Sequence, residues 1–169
     1  PRLRLDLVLN DFVANAMTSK NIKILSDGLP WRPLIHVRDM ARAIDWSCMR
    51  ESSNGGSFLV LNTGSNEWNY QIKDLTRAVK NIFGDIDILI NKNAPPDKRS
   101  YKVDFSRFKK LAGSYYPKIS LDEAIRDLIS GLEKINFSDR NFRDSYLMRL
   151  NMIREHRERN RLNELLEWI

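Results

Sequence analysis

The stretch "WRPLIHVRDMA", residues 31–41, places an arginine ahead of a short apolar run and a second arginine and an aspartate behind it. A strand tolerates proline near its start, where the missing N–H costs little, so "PLIHV" predicts a short strand. Asp39 can accept backbone N–H groups as the N-cap of a following helix. The stretch therefore predicts a strand that leads into a helix, with a positive charge at the start of the strand.

Similar units flank this stretch. Apolar residues from Leu5 to Met17 recur at helical spacing and predict a helix. "NIKILSDG", "SFLVLNTG" and "DIDILI" predict strands, and the second of these is apolar enough to be buried. A helix is expected after Asn66, with Gly84 just past its end, and a short helix over residues 106–111. Strands that alternate with helices indicate an α/β or α+β fold.

The C-terminal part of the sequence changes in character. "SLDEAI" is a capping box, in which Ser120 and Glu123 satisfy each other's backbone N–H groups at the start of a helix. From Ser138 onward the pattern is charged and helical, which predicts a long C-terminal helix. We therefore expect two parts, residues 1–135 and a charged helical extension over residues 136–169.

Composition narrows the class of protein. The chain has 169 residues, of which 42% are hydrophobic, and a net charge of +6, which favours anionic partners. No segment is long and apolar enough to predict a membrane span. The single cysteine, Cys48, excludes a disulfide framework and fits a reducing compartment such as the cytoplasm; its apolar helical context predicts burial. One cysteine and two histidines also predict that the chain has no metal site of the usual zinc type.

Several catalytic patterns are missing. The sequence contains no G-x-G-x-x-G, no Walker A loop, no G-x-S-x-G elbow and no tyrosine followed four residues later by lysine. We therefore predict no catalytic residue in this chain.

Arg32 is the strongest candidate for binding. Strand alternation places Arg32, Leu34 and His36 on one side, and the planar guanidinium fork matches two oxygens of a diphosphate. A histidine within an apolar strand is more often structural than catalytic, so we favour a structural role for His36.

The order of the segments adds a family resemblance. Together they resemble the C-terminal half of the NAD-dependent epimerase/dehydratase family, extended short-chain dehydrogenases that act on nucleotide sugars. The most specific part is the element R-x-x-I-H-V-x-D-x-A at residues 32–41. The resemblance rests on five segments in order: "LVLNDFV", "IKILSDG", "WRPLIHVRDMARAI", "FLVLNTGSNEWNYQIKDL" and "DKRSYKVDFSRFKKLAGSYYPKISLDEAI".

The resemblance implies a substrate-binding part of an α/β enzyme and a role for particular residues. Arg32 would bind the diphosphate of a nucleotide-diphosphate sugar. Three residues would line the sugar-nucleotide site: Asn10, Lys23 and Leu25.

The resemblance also implies a second phosphate clamp. This would be Arg99, with Asp97 near a ribose or sugar hydroxyl. The spacing of this second arginine varies in the family, so Lys98 could take its place.

The family's N-terminal half has no counterpart in the sequence. The resemblance implies NAD(P) as the cofactor of an intact enzyme, but the glycine-rich NAD loop and the Tyr-x-x-x-Lys pair are missing here. We therefore expect this chain to be inactive and to bind no cofactor alone. Its exposed faces would be covered by an N-terminal Rossmann half or another chain, including a second copy in a homo-oligomer.

Two other functions are compatible with the composition. The first is a stand-alone basic module that binds RNA or an acidic partner, based on the net charge and the C-terminal arginines. The segment "REHRERNR" interleaves glutamates with those arginines, which favours a solvated helix face over nucleic-acid binding. The second is a scaffold whose terminal helix mediates oligomers.

Overall fold

A computed structural model describes residues 3–91, 93 and 99–169 of the chain. Within them, helices alternate with short strands, which confirms the α/β prediction. The elements are α1 (Val8–Ser19), β1 (Asn21–Ile24), β2 (Trp31–Pro33), α2 (Val37–Met49), β3 (Asn69–Gln71), α3 (Ile72–Phe83), β4 (Asp87–Ile90), α4 (Ser106–Ala112), α5 (Leu121–Lys134) and α6 (Arg149–Glu158).

The strands form two small sheets. β1 and β4 are parallel, with Ile22 opposite Ile88, whereas β2 and β3 are antiparallel, with Arg32 opposite Tyr70. Because side chains alternate along a strand, β1 buries Ile22 and Ile24 on one face and exposes Lys23 on the other.

The main core lies between α1, α3 and α5, on the buried face of β1. Val13, Leu75, Val79 and Ile125 are fully buried there. Burying one such side chain contributes about 1.5–3 kcal/mol relative to leaving it exposed. This core therefore holds the three helices and the β1–β4 sheet together.

A second, smaller core joins α2 to α4. Ala43 and Trp46 of α2 pack against Phe108 and Ala112 of α4. The rings of Trp46 and Phe108 meet edge to face, with centroids 5.5 Å apart, an arrangement that aromatic pairs favour.

Local capping signals predicted several helix ends correctly. At the start of α5, the Ser120 hydroxyl accepts from the Glu123 N–H and the Glu123 carboxylate accepts from the Ser120 N–H. Gly84 caps the end of α3 with φ of 79°, a conformation that costs glycine little.

The boundaries around residues 31–41 differ from the prediction. The strand is Trp31–Pro33, and α2 begins at Val37 with His36 rather than Asp39 as its N-cap. The His36 Nδ1 accepts from the N–H of Arg38 at 3.2 Å. Asp39 instead lies inside the first turn of α2, fully buried, where its carboxylate accepts from the N–H groups of Lys118 and Ile119.

The predicted buried strand at residues 57–64 is wrong. Leu59 and Leu61 pack against the second core, but Phe58 and Val60 are 82% and 73% exposed. Across the part of the chain that the structure describes, no strand pairs with this segment. The sequence pattern was that of a two-sided strand, and such a strand forms only beside a neighbour that accepts its hydrogen bonds.

The predicted burial of Cys48 is also wrong, because the thiol lies on the exposed side of α2. The same side carries other exposed apolar residues, which are Val37, Met40, Ile44 and Met49.

The C-terminal extension is not one long helix. Phe142 is buried in the main core within a single 3-10 turn, and α6 is only ten residues long. Asn160 then adopts a positive φ of 52° and the chain turns back, so that Leu162 pairs with Trp168. Tertiary packing of Phe142 thus interrupts a pattern that is helical by local propensity.

Candidate functional site

The site is built at the edge of β2 that does not face β3. The segment 99–102 crosses this edge and hydrogen-bonds to both the N–H and the carbonyl of Trp31. The Trp31 N–H donates to the Ser100 hydroxyl at 3.1 Å, and the Tyr101 N–H donates to the Trp31 carbonyl at 3.5 Å. Two parts of the chain that are far apart in sequence therefore meet at this edge.

The crossing segment brings the two arginines singled out in the sequence together. The Arg32 guanidinium donates to the Trp31 carbonyl at 2.8 Å and to the carbonyl of Arg99. Arg32 is half-buried and Arg99 is exposed. Asp97 and Lys98, also predicted as site residues, lie outside the described residues.

A third cation, Lys102, was not predicted from the sequence. Its Nζ lies 3.7 Å from the centroid of the Trp31 ring, which is within the range of a cation–π interaction. Only the way in which segment 99–102 crosses β2 places Lys102 there, so sequence spacing alone carried no signal for it.

Two asparagines fix the chain beyond Lys102. The side chain of Asn69 donates to the Val103 carbonyl at 3.0 Å and accepts from the Val103 N–H at 2.9 Å. Asn66 accepts from the Phe105 N–H at 2.7 Å. These amides therefore act as backbone surrogates for an extended segment that pairs with no strand in the described part of the chain.

The structure places the remaining predicted residues elsewhere. Asn10 lies in the first turn of α1, where its amide donates to the Arg4 carbonyl at 2.8 Å. Lys23 lies on the exposed face of the β1–β4 sheet, opposite Leu89, and Leu25 follows β1 with 76% of its surface exposed. Lys23 and Leu25 thus share one face, whereas the hydrogen bond of Asn10 stays within its own segment.

His36 has the surroundings of a structural residue. Burial, followed by the charge of Arg38, lowers the pKa of its imidazole below the usual value. A neutral ring suits the cap, because Nδ1 then has a lone pair to accept the Arg38 N–H. The other nitrogen, Nε2, lies 3.4 Å from the Asp127 carboxylate on α5, with which Arg38 also pairs. His36 therefore links the start of α2 to α5.

Among the described residues, no three His, Cys, Asp or Glu side chains converge as ligands for a metal. No helix formed by the described residues has both the length and the apolar character needed to cross a bilayer. Gly64 is explained by packing: a Cβ at this position would lie 2.6 Å from the Phe105 ring. The sequence has no G-x-G-x-x-G pattern, the glycine-rich loop between a strand and a helix that binds dinucleotides.

Comparison with known families supports the resemblance in the first part of the chain. Residues 2–64 match the NAD dependent epimerase/dehydratase family. This stretch contains α1, β1, β2 and α2, and hence Arg32.

Curated relatives point the same way. UDP-glucuronic acid decarboxylases 6 and 3 of Arabidopsis thaliana are each 27% identical to this chain over 128 residues. The similarity covers 74% of this chain but only 35% of either relative. The chain thus spans about a third of the length of the curated relatives that it matches.

Solved structures show the same fold. An NAD-dependent NDP-hexosamine 5,6-dehydratase, TunA, involved in tunicamycin biosynthesis, matches 82% of this chain and 43% of its own, with a TM-score of 0.63 and 19% identity. MoeE5 in complex with UDP-glucuronic acid and NAD matches 78% of this chain and 43% of its own, with a TM-score of 0.60 and 19% identity. The α/β architecture is therefore that of part of such enzymes.

Proposed function

We propose that this chain is the nucleotide-sugar-binding portion of an NAD-dependent nucleotide-sugar epimerase/dehydratase. The observation that carries the proposal is the hydrogen bond from the Arg32 guanidinium to the backbone carbonyl of Arg99 at the edge of β2. Arg32 lies in the stretch that matches the family, and the fold is that of enzymes described in complex with a UDP-sugar and NAD.

The chemistry at the β2 edge suits a diphosphate. Arg32 and Lys102 bring two cationic side chains to one short strand, and the backbone of Arg99 lies against the Arg32 guanidinium. A guanidinium presents two parallel N–H groups to phosphate oxygens, whereas an ammonium acts as a point charge. In this proposal Arg32 binds the diphosphate and Arg99 is the second clamp, with Lys98 as its substitute.

The remaining predicted residues take supporting roles in the proposal. The exposed side of β1, with Lys23 and Leu25, lines the nucleotide and sugar, as does Asn10 on α1. Asp97 binds a ribose or sugar hydroxyl.

The chain needs a second sheet to complete an enzyme. NAD(P) would be held by that other part, which would also supply the catalytic tyrosine and lysine. α2 packs onto residues 57–62 through Leu59 and Leu61, and its apolar side around Ile44 is exposed. A helix is about 10 Å across and strands are about 4.8 Å apart, so one helix covers about two strands. A neighbouring strand supplied by a Rossmann half would fill the uncovered side of α2 and pair with residues 57–62.

Calorimetric titration tests the binding site. UDP- and GDP-sugars should bind saturably, and Arg32→Ala should weaken this binding roughly 10- to 100-fold, the loss expected for charge-assisted hydrogen bonds. Arg77→Ala is the matched control, because Arg77 is an exposed arginine on α3 that pairs with Asp74. It should leave the affinity unchanged.

A short oligonucleotide titrated at two salt concentrations tests the alternative. Binding of the oligonucleotide alone, with a steep salt dependence, would identify a basic nucleic-acid module and reject the proposal.

Catalytic competence has its own test. The purified chain with NAD and a UDP-sugar should form no product, because neither the NAD loop nor the Tyr-x-x-x-Lys pair is present. Product formed by this chain alone, at a rate that Arg32→Ala abolishes, would contradict the assignment as a binding portion.

A further inference from the structure

Tyr70 lies beside Arg32 on the β2–β3 sheet. The two residues are directly opposite each other across the antiparallel pair of strands. Residues in such positions point to the same face of the sheet, with Cβ atoms about 4.5–5.5 Å apart. Both side chains are half-buried. The phenol of Tyr70 and the guanidinium of Arg32 therefore extend from neighbouring positions on one face.

Packing accounts for the ring of Tyr70. The ring contacts the main core and meets the ring of Trp68 edge to face, with centroids 5.9 Å apart. Trp68 is itself buried, and its indole N–H donates to the Ile119 carbonyl at 3.1 Å. The ring of Tyr70 thus rests on a fixed support. A phenylalanine would make the same contacts, so packing does not account for the hydroxyl.

The hydroxyl of Tyr70 has no hydrogen-bond partner within the part of the chain that the structure describes. In that part, the buried side-chain N and O atoms without a partner comprise only the Nδ1 of His156, so the Tyr70 hydroxyl reaches solvent. Burial, followed by the charge of Glu67, raises the pKa of Tyr70. The hydroxyl therefore keeps its proton over the physiological range and can donate a hydrogen bond.

We propose that Tyr70 is a further substrate-binding residue, whose hydroxyl donates to the diphosphate that Arg32 binds. This inference rests on the proposed nucleotide-sugar site. A diphosphate carries anionic oxygens on two phosphorus atoms, so a guanidinium and a neighbouring hydroxyl can bind it together. An O–H group that donates to an anionic oxygen forms a short, charge-assisted hydrogen bond. Because the ring is already held by the core, little side-chain freedom is lost on binding.

Removal of one oxygen atom tests the proposal. Tyr70→Phe deletes the hydroxyl and keeps the ring on Trp68. In calorimetric titration, the affinity for UDP-glucose should fall by about tenfold or more, the loss expected for a hydrogen bond to a charged group. Tyr115→Phe is the matched control, because Tyr115 is also half-buried but packs against the second core. It should leave the affinity unchanged, and circular dichroism checks that both variants fold.

A comparison of ligands tests which group the hydroxyl contacts. Tyr70→Phe should weaken binding of UDP and of UDP-glucose by the same factor, because both carry the diphosphate. The phosphorus NMR resonances of bound UDP should also shift between the wild type and Tyr70→Phe. A loss confined to UDP-glucose would assign the hydroxyl to the sugar. A weaker affinity for UDP with unchanged phosphorus resonances would assign it to the nucleoside, and either result would overturn the proposal.

Failure of this inference can be told from failure of the proposed function. The role of Tyr70 alone is wrong if Arg32→Ala weakens binding of UDP-glucose while Tyr70→Phe binds it as tightly as the wild type. A wild-type chain that binds no UDP- or GDP-sugar would overturn the proposed site, and the role of Tyr70 with it.

Discussion

The main core around α1 and the second core around α2 differ in how many sides are covered. α1 is packed by α3, α5 and β1, and its apolar side chains are almost all buried. α2 is packed by α4 and residues 59 and 61 on one side, while Met40 and Ile44 are exposed on another. Amphipathic patterning thus sets where apolar side chains lie on a helix, but the number of neighbouring layers decides whether they are buried.

The largest expected effect comes from truncating one residue in each environment. Leu75→Ala removes a fully buried side chain of the main core and should lower the free energy of unfolding by about 2–5 kcal/mol. Ile44→Ala, on the exposed side of α2, should change it by less than about 0.5 kcal/mol. Urea denaturation of both variants measures the contrast. Similar losses at the two positions would mean that α2 is already covered in the isolated chain.

Asp39 sharpens the comparison, because it ties α2 to the chain ahead of α5. Its buried carboxylate accepts from the N–H groups of Lys118 and Ile119 and pairs with Arg42 at 3.0 Å. Asp39→Ala leaves buried donors unsatisfied and should cost about 2–4 kcal/mol of unfolding free energy. Asp122→Ala, at an exposed ion pair, is the control and should cost less than about 1 kcal/mol. Equal losses would show that the Asp39 contacts add nothing to stability.

Two Gly→Ala substitutions should change the stability by intermediate amounts and in opposite directions. Gly64→Ala would place a Cβ 2.6 Å from the Phe105 ring and should destabilise the chain by about 1–3 kcal/mol. Gly131→Ala, in α5 with open space around it, should stabilise by about 0.5–1 kcal/mol through helix propensity. Thermal unfolding should show a lower melting temperature for Gly64→Ala and a higher one for Gly131→Ala. A neutral Gly64→Ala would indicate that the Phe105 ring moves aside freely.

The smallest expected effect is a pH dependence at the start of α2. The pKa of His36 is lowered by burial and by Arg38, against the opposing charges of Asp39 and Glu123, with the Asp127 carboxylate 3.4 Å from Nε2. In the window below the unfolded pKa of about 6.5, the unfolded chain binds more protons than the folded chain, so stability rises with pH. The stabilisation is therefore complete above that pKa and is lost as pH falls toward the folded pKa.

His36→Asn tests this dependence, because asparagine keeps an N-cap acceptor and does not titrate. Unfolding free energies measured between about pH 5 and pH 8 should fall less steeply toward acid in the variant. An unchanged slope would assign the pH dependence to other groups.

The start of α5 and the end of α3 were predictable because their signals are local. Ser120 with Glu123, and Gly84, act on neighbouring residues, so their patterns were sufficient. The segment 57–64 was not predictable, since a strand needs a partner that the described residues do not provide. The C-terminal helix was interrupted for a similar reason, because Phe142 is drawn into the core.

The site residues also differ in whether local sequence or tertiary structure determines them. Arg32 was found from its position ahead of an apolar run, and Arg99 from the resemblance. Lys102 was missed because its place over Trp31 depends on how segment 99–102 crosses β2. The role of Asp39 was misassigned for the same reason, since its hydrogen-bonding partners lie about 80 residues further along the chain.

The two hydrogen bonds between Asn69 and Val103 also bear on how this chain can change in length. They join positions 34 residues apart, so they fix the point at which the chain returns to the β2–β3 sheet after α3 and β4. The connection from β4 to the crossing segment can be lengthened at little cost, since each doubling of a connection adds only about 0.6 kcal/mol of closure entropy. Insertions between Ile90 and Arg99 should therefore leave Lys102 over Trp31 and the fold intact. Substituting Asn69 should remove this tolerance of insertions, because Asn69 and Val103 would no longer be held together.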